Sequence, residues 1–182
     1  GSVELTLTAQ PVSPCTDVVT DTRVITFTKE ATVTLSPTSA TICENQTYTF
    51  TAGTVSTTNT SSINWTKNGD GNFEFTDIEN PTYIPGPGDI INGTVTLTVS
   101  VDAQGTACNN PTDTKDFVLN IDKLPILDIT NTPTQACYGT DLTLSINAAN
   151  YNTILWEVTS GTGSITAGAN TETPTYTPDT DS

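Results

Sequence analysis

The chain reads as short runs in which apolar and polar residues alternate with a period of two. Gly, Pro, Asn or Asp bounds each run, which is the signature of half-buried β-strands. Val33 and Leu35 share one face of a first strand, Tyr48, Phe50 and Ala52 of a second, and Ile63 and Trp65 of a third. Asn68-Gly69-Asp70-Gly71 follows as a turn of residues that accept positive φ. Phe73 and Phe75 mark a short strand. The stretch from Pro81 to Pro87 cannot supply a ladder of donors, so it is expected at an edge or a crossover. Val95, Leu97 and Val99 then alternate with Thr94, Thr96 and Thr98, and Phe117, Leu119 and Ile121 close the set. The pattern predicts no helix. About seven strands in this length is the count of an immunoglobulin-like sandwich.

The pattern then repeats. GSVELTLTA at Gly1 returns as GTVTLTVSV at Gly93, the strand around Trp65 returns around Trp156, and PTYIP at Pro81 returns as PTYTP at Pro174. Cys15 maps onto Cys108 and Cys43 onto Cys137, so independent landmarks recur at one spacing of about 93 residues. The expected fold class is therefore all-β, with tandem immunoglobulin-like β-sandwich repeats. The period is cut out of phase. With junctions at Lys29-Glu30-Ala31 and Lys123-Leu124-Pro125, residues 1–29 are the C-terminal strands of a preceding repeat. Residues 30–124 are then a complete sandwich, and 125–182 the N-terminal part of a following repeat. Gly1-Ser2 aligns with Gly93-Thr94.

Composition narrows the chemistry. Threonine supplies 41 of 182 residues, and a β-branched side chain with a hydroxyl suits the solvent face of a sheet. The chain has no histidine, which removes the Ser-His-Asp triad and imidazole metal ligands, and no enzymatic activity is expected. Twenty acidic residues face five basic ones, for a net charge of -15, so neither a nucleic acid nor an anionic membrane is an expected partner. No apolar stretch approaches the 18 residues of a membrane span, and the amino terminus has neither the basic nor the apolar region of a signal peptide. With only 14% charged residues and many strand formers, the acidity reads as a solvated surface rather than disorder.

Few residues invite chemistry. Trp65 and Trp156 lie mid-strand beside Ile63 and Ile154, which places them in the core rather than on a sugar-stacking platform. Tyr83 and Tyr176, flanked by prolines, are expected to pin a crossover. Asn68, Asp70 and Asn72 carry the oxygen ligands that calcium prefers but lack the twelve-residue loop with a closing Glu; turn formation explains them, and calcium stays a candidate ligand. Cys15, Cys43, Cys108 and Cys137 lack metal-ligand spacing and are expected in disulfides. Repetition suggests a Cys43–Cys108 bond. Simple sandwich topology instead puts these two at opposite poles, about 20 Å apart across a six-residue strand, and then the bonds join adjoining repeats.

A Cys before the second strand, Trp65, Gly69-Asp70-Gly71, PTYIP, and the strand from Gly93 to Val99 form a succession along almost the whole chain. It resembles the PKD-like and Ig-like repeats of very large Bacteroidota surface proteins. The second copy departs by having Gly161-Thr162-Gly163 without the Asp. The resemblance implies a repeat segment of a cell-surface adhesin filament or stalk, exported by type IX secretion as in SprB-type gliding adhesins. Implied partners are neighbouring repeats, surface glycans or other surface proteins, and the type IX secretion machinery, with an extracellular location. The alternative is a carbohydrate-binding accessory module of a secreted polysaccharide-degrading enzyme, which a solvent-facing row of aromatics would mark.

Overall fold

The computed structural model describes residues 1–105, 112–131 and 135–179. A first hairpin of β1 (Ser2–Ala9) and β2 (Val19–Thr26) precedes a sandwich built from nine strands. These are β3 (Thr32–Leu35), β4 (Ser39–Cys43), β5 (Tyr48–Thr49), β6 (Val55–Thr58), β7 (Thr60–Lys67), β8 (Asn72–Phe73), β9 (Thr82–Ile84), β10 (Thr94–Ala103) and β11 (Thr112–Asp122). A six-residue helix, α1 (Pro87–Asn92), lies between β9 and β10. Then follow β12 (Ile126–Asn131), β13 (Leu142–Thr143), β14 (Ser145–Ala149), β15 (Ser164–Ala167) and β16 (Thr175–Thr177). Two units result, residues 1–122 and 123–182. The fold is all-β and immunoglobulin-like.

Alternation builds the core of the sandwich. One sheet runs β4-β11-β10-β7, and the opposing layer is supplied by the β3-β6 pair and the three-stranded β5-β9-β8 sheet. Val95, Leu97, Val99 and Val101 of β10 pack with Phe117, Leu119 and Ile121 of β11, all buried. The alternate threonines and serines of β10 lie on the other face, half-buried or exposed. Trp65 of β7 extends that apolar face, and against it stand Val33, Phe50, Val55 and Tyr83. Phe50 joins the aromatics, with ring centroids 4.4 Å from Trp65 and 4.8 Å from Phe117. At roughly 1.5 to 3 kcal/mol per fully buried large apolar side chain, this face is the main source of stability.

The chain enters the sandwich by switching sheets. β3 pairs antiparallel with β6, whereas β4 runs parallel to β11 over five pairs from Val118↔Ser39 to Asp122↔Cys43. Ser36-Pro37, which interrupts the ladder between β3 and β4, allows the crossing.

Four expectations are corrected. The Pro81–Pro87 stretch contains β9, and β9 is the central strand of its sheet, because the prolines only flank Thr82–Ile84 and leave those three N–H groups free to pair. A helix is present, started by Pro87 at its first turn with Asp89 following, and stopped by Gly93 at φ 72°. β4 and β6 are not among the strands expected from the pattern: β6 is mostly Ser and Thr, and β4 is five residues long with only Ala40 and Ile42 turned inward, both half-buried. Ala52 and Phe75, assigned inward positions from the pattern, are exposed.

The acidic surface is held by hydroxyls more than by cations. Thr98 donates to Asp116, and Thr112 and Ser62 both donate to Asp102. Among the described residues one ion pair appears, Lys115–Asp113 at 3.0 Å. The Thr112 and then the Ser62 hydroxyl hold the Asp102 carboxyl below the usual aspartate range; for Asp113 the Val33 N–H does so first, then Lys115. Depressed folded-state values mean a contribution that is complete above the ordinary aspartate pKa of about 4 and lost as pH falls through the lower folded values. Urea titrations between about pH 6 and pH 2 should therefore show stability falling only below about pH 4. In Asp113→Asn the acid-side slope should be shallower; an unchanged slope would mean that the Val33 contact carries no such linkage.

Candidate functional site

The most organised polar cluster joins the turn after β7 to the start of α1. Asp89 is 1% exposed. Its Oδ2 accepts from the Tyr83 hydroxyl at 2.7 Å and from the backbone N–H groups of Gly71 and Gly86 at 3.0 Å each, while Oδ1 accepts from Asp70 N at 3.1 Å. Asp70 answers in kind, accepting from Gly88 N at 2.9 Å and Asp89 N at 3.1 Å. Each carboxyl thus caps the backbone of the other's segment. A Cβ on Gly69 or Gly71 would run into Asp89 and Tyr83, and one on Gly86 into Asp70, so the glycines are required by close approach. The Gly88 N–H first, then that of Asp89, holds the Asp70 carboxyl below its ordinary value. Burial, followed by the hydrogen bond and charge of Asp89, raises the Tyr83 phenol far above its ordinary value.

This arrangement locks a turn against a strand. Every oxygen of Asp89 and Asp70 is engaged by a donor within the protein. Of the calcium candidates, Asn68 uses its Oδ1 to accept Thr96 N at 2.8 Å, Asp70 is committed as above, and Asn72 is exposed on β8 opposite Ile84. No group of three acidic or cysteine side chains placed to hold a metal occurs among the described residues.

The two tryptophans occupy matching positions. Trp65 N donates to Thr76 O and its Nε1 to Ile78 O; Trp156 N donates to Ala169 O and its Nε1 to Thr171 O. They differ in cover: Trp65 is 2% exposed and Trp156 only half-buried. Tyr83 is fully buried and donates to Asp89, whereas Tyr176 is half-buried and donates to Thr162 O at 2.7 Å. Among the described residues the exposed rings are Phe27, Phe75, Tyr138 and Tyr151, each on a different segment, and they form no row.

Cys15, Cys43 and Cys137 are exposed free thiols, and Cys108 lies outside the described residues. Cys43 ends β4, paired in register with Asp122 at the end of β11; the expected Cys43–Cys108 pairing falls on a residue outside the described ones.

Asp89 was missed in the sequence although a signal was present: Pro87 followed two positions later by an acidic residue is a helix start, and the acid belongs at the third position. No protein-family model and no curated protein matches the chain. Among solved structures, the chain is similar to "Protocadherin Gamma B7 extracellular cadherin domains 1-4" at a TM-score of 0.47 and 12% identity. The match covers 98% of this chain and 49% of that one, so the chain spans about half its length.

Two outcomes are expected. Asp89→Asn puts an amide donor among four donors and should cost about 2 to 4 kcal/mol of unfolding free energy by denaturant titration, with Asp70→Asn costing less. Mapping of non-reduced digests should return Cys15, Cys43 and Cys137 unbonded to one another; a peptide joining any two of them would contradict the structure.

Proposed function

We propose that this chain is a non-catalytic, mechanical segment of a tandem-repeat stalk or filament on a cell surface, where it spaces an adhesive region from the cell. The observation that supports this most is the parallel pairing of β4 with β11. β11 is the last strand of the complete repeat, and β4 follows β3 near its start. When the ends are pulled apart, parallel neighbours are loaded in shear, and all the bonds between them must fail together. The ladder is extended by Val118 N to Thr38 O at 3.0 Å and Glu44 N to Asp122 O at 2.9 Å. The junctions Lys29-Glu30-Ala31 and Lys123-Leu124-Pro125 contain no Gly or Ser, which suits a stalk that resists bending.

The finer reading follows from the family resemblance of the sequence: an extracellular adhesin of the Bacteroidota, type IX secreted, with a role in gliding and neighbouring repeats as its first partners. Calcium and surface glycans are ligands to be tested in the same setting. With Cys43 and the hairpin-tip Cys15 at strand ends, disulfides in such an array would join one repeat to the next.

Single-molecule stretching of the chain by its two ends tests the reading. A high-force unfolding peak from the complete sandwich is expected, lowered in Ala40→Pro, which removes a donor from β4, and hardly changed by a proline in the solvent-facing part of β2. A sandwich that unzips at low force, or is indifferent to Ala40→Pro, would contradict the mechanical role.

A further inference from the structure

Among the described residues, the two at positive φ that are not glycine are Asn59 at 55° and Asn150 at 58°. They stand at the same place in two repeats. β12 pairs with β14 as β3 does with β6, with Thr32 opposite Thr58 and Ile126 opposite Ala149. Each asparagine is the residue just past that last pair. Each also makes the same bond. Asn59 Nδ2 donates to Glu30 O at 3.3 Å, and Asn150 Nδ2 donates to Leu124 O at 3.2 Å. Glu30 lies just as far before Thr32 as Leu124 lies before Ile126, so the acceptors are equivalent too.

The surrounding residues do not explain the coincidence. Thr-Thr-Asn59-Thr-Ser and Ala-Ala-Asn150-Tyr-Asn share only the asparagine, and Lys29-Glu30-Ala31 and Lys123-Leu124-Pro125 share only the lysine. A left-handed corner turns the chain out of β6 or β14, and asparagine tolerates it better than most residues that carry a side chain. Glycine would make the same corner without steric cost, so the amide has a use beyond the turn.

The acceptors show what that use is, because both lie where one repeat passes into the next. At the second junction Asp122 O accepts Glu44 N at 2.9 Å and Leu124 O accepts Asn150, so Lys123 lies between two anchored carbonyls. At the first, Phe27 N donates to Gly1 O at 2.8 Å and Glu30 O accepts Asn59, with Thr28 and Lys29 between. There Gly105, at φ 122°, comes so close that a Cβ on it would stand 3.0 Å from Thr28 Cγ2. We propose that Asn59 and Asn150 are junction clamps. Each fastens the chain entering a repeat to the first corner of that repeat, which confines bending to the residues around Lys29 and Lys123. Without the clamp the chain would be loose as far as Thr32 or Ile126, the first paired residues. The clamp rests on bonds within each repeat and stands whether or not the chain carries tension.

Trypsin cuts after lysine, and the Lys29–Glu30 and Lys123–Leu124 bonds lie inside the clamped segments, so initial rates of limited proteolysis of the full chain read the clamps. Asn59→Asp keeps the size of the side chain and its tolerance of positive φ but has no donor at neutral pH, and Asn59→Gly keeps the corner alone. Both are expected to speed cleavage after Lys29 by about fivefold, the effect of losing one ordinary hydrogen bond, and to leave cleavage after Lys123 unchanged. Asn150→Asp and Asn150→Gly are expected to do the reverse. Cleavage after Lys67 of β7 and Lys115 of β11 should stay at the wild-type rate, since both asparagines are exposed. If Asn59→Gly is cut no faster than wild type, the proposal is overturned, because the residue then serves the corner only. Faster cleavage at both junctions in a single variant, or after Lys67 and Lys115, would overturn it as well, since the bond would then be holding the fold and not the junction.

Discussion

The apolar face of a two-strand hairpin decides the state of each part of this molecule. Where β10 and β11 lay Val95, Leu97, Val99, Phe117, Leu119 and Ile121 over the opposing strands, Trp65, Phe50 and Tyr83 disappear from solvent and a core exists. Where the corresponding hairpin is missing, as over Trp156, the remaining strands keep their pairing and hydrogen bonds but bury almost nothing. Backbone ladders alone exchange water for protein partners at modest net gain, whereas the buried face removes apolar area from water. The hairpin is therefore the piece that turns a set of paired strands into a stable domain.

That dependence explains the division of labour elsewhere. The Asp70–Asp89 brace does not touch the β10–β11 face directly; it fixes the turn after β7 and the helix that leads into β10, so the strand begins at the right residue. In the second copy Thr162 replaces the acid, and Tyr176 finds a backbone carbonyl instead. Threonine hydroxyls meanwhile neutralise the cost of a surface with few cations, by cross-strand pairs such as Thr32–Thr58 at 2.7 Å and Thr49–Thr82 at 2.9 Å, and by donating to carboxylates.

The all-β class, the repeat spacing and the alternating residues of β7, β10 and β11 were legible because strand burial writes itself with a period of two. Elements that make few apolar contacts left little trace: β4 has only Ala40 and Ile42 half-buried, yet its backbone pairs with β11 in the ladder proposed to carry tension. Asp89 was illegible as a core residue because composition treats an acid as surface, and only the partners brought by folding make its burial tolerable. The tryptophans show the converse limit. Their local sequence and hydrogen bonds match, but the burial of Trp65 depends on β10, about 35 residues away in sequence, and Trp156 has no such strand beside it among the described residues. Spacing along the chain likewise does not reveal that β4 runs parallel to β11.

Hydrogen exchange on the chain tests this account most directly, because it reads the stability of each strand separately. Amides of β7, β10 and β11 are predicted to exchange only through global opening of the sandwich. Those of β12 to β16 should exchange orders of magnitude faster despite equivalent pairing. Equal protection in the two units would show that the strands of 123–182 are stable without a covering hairpin, and would contradict the claim that this face governs the fold.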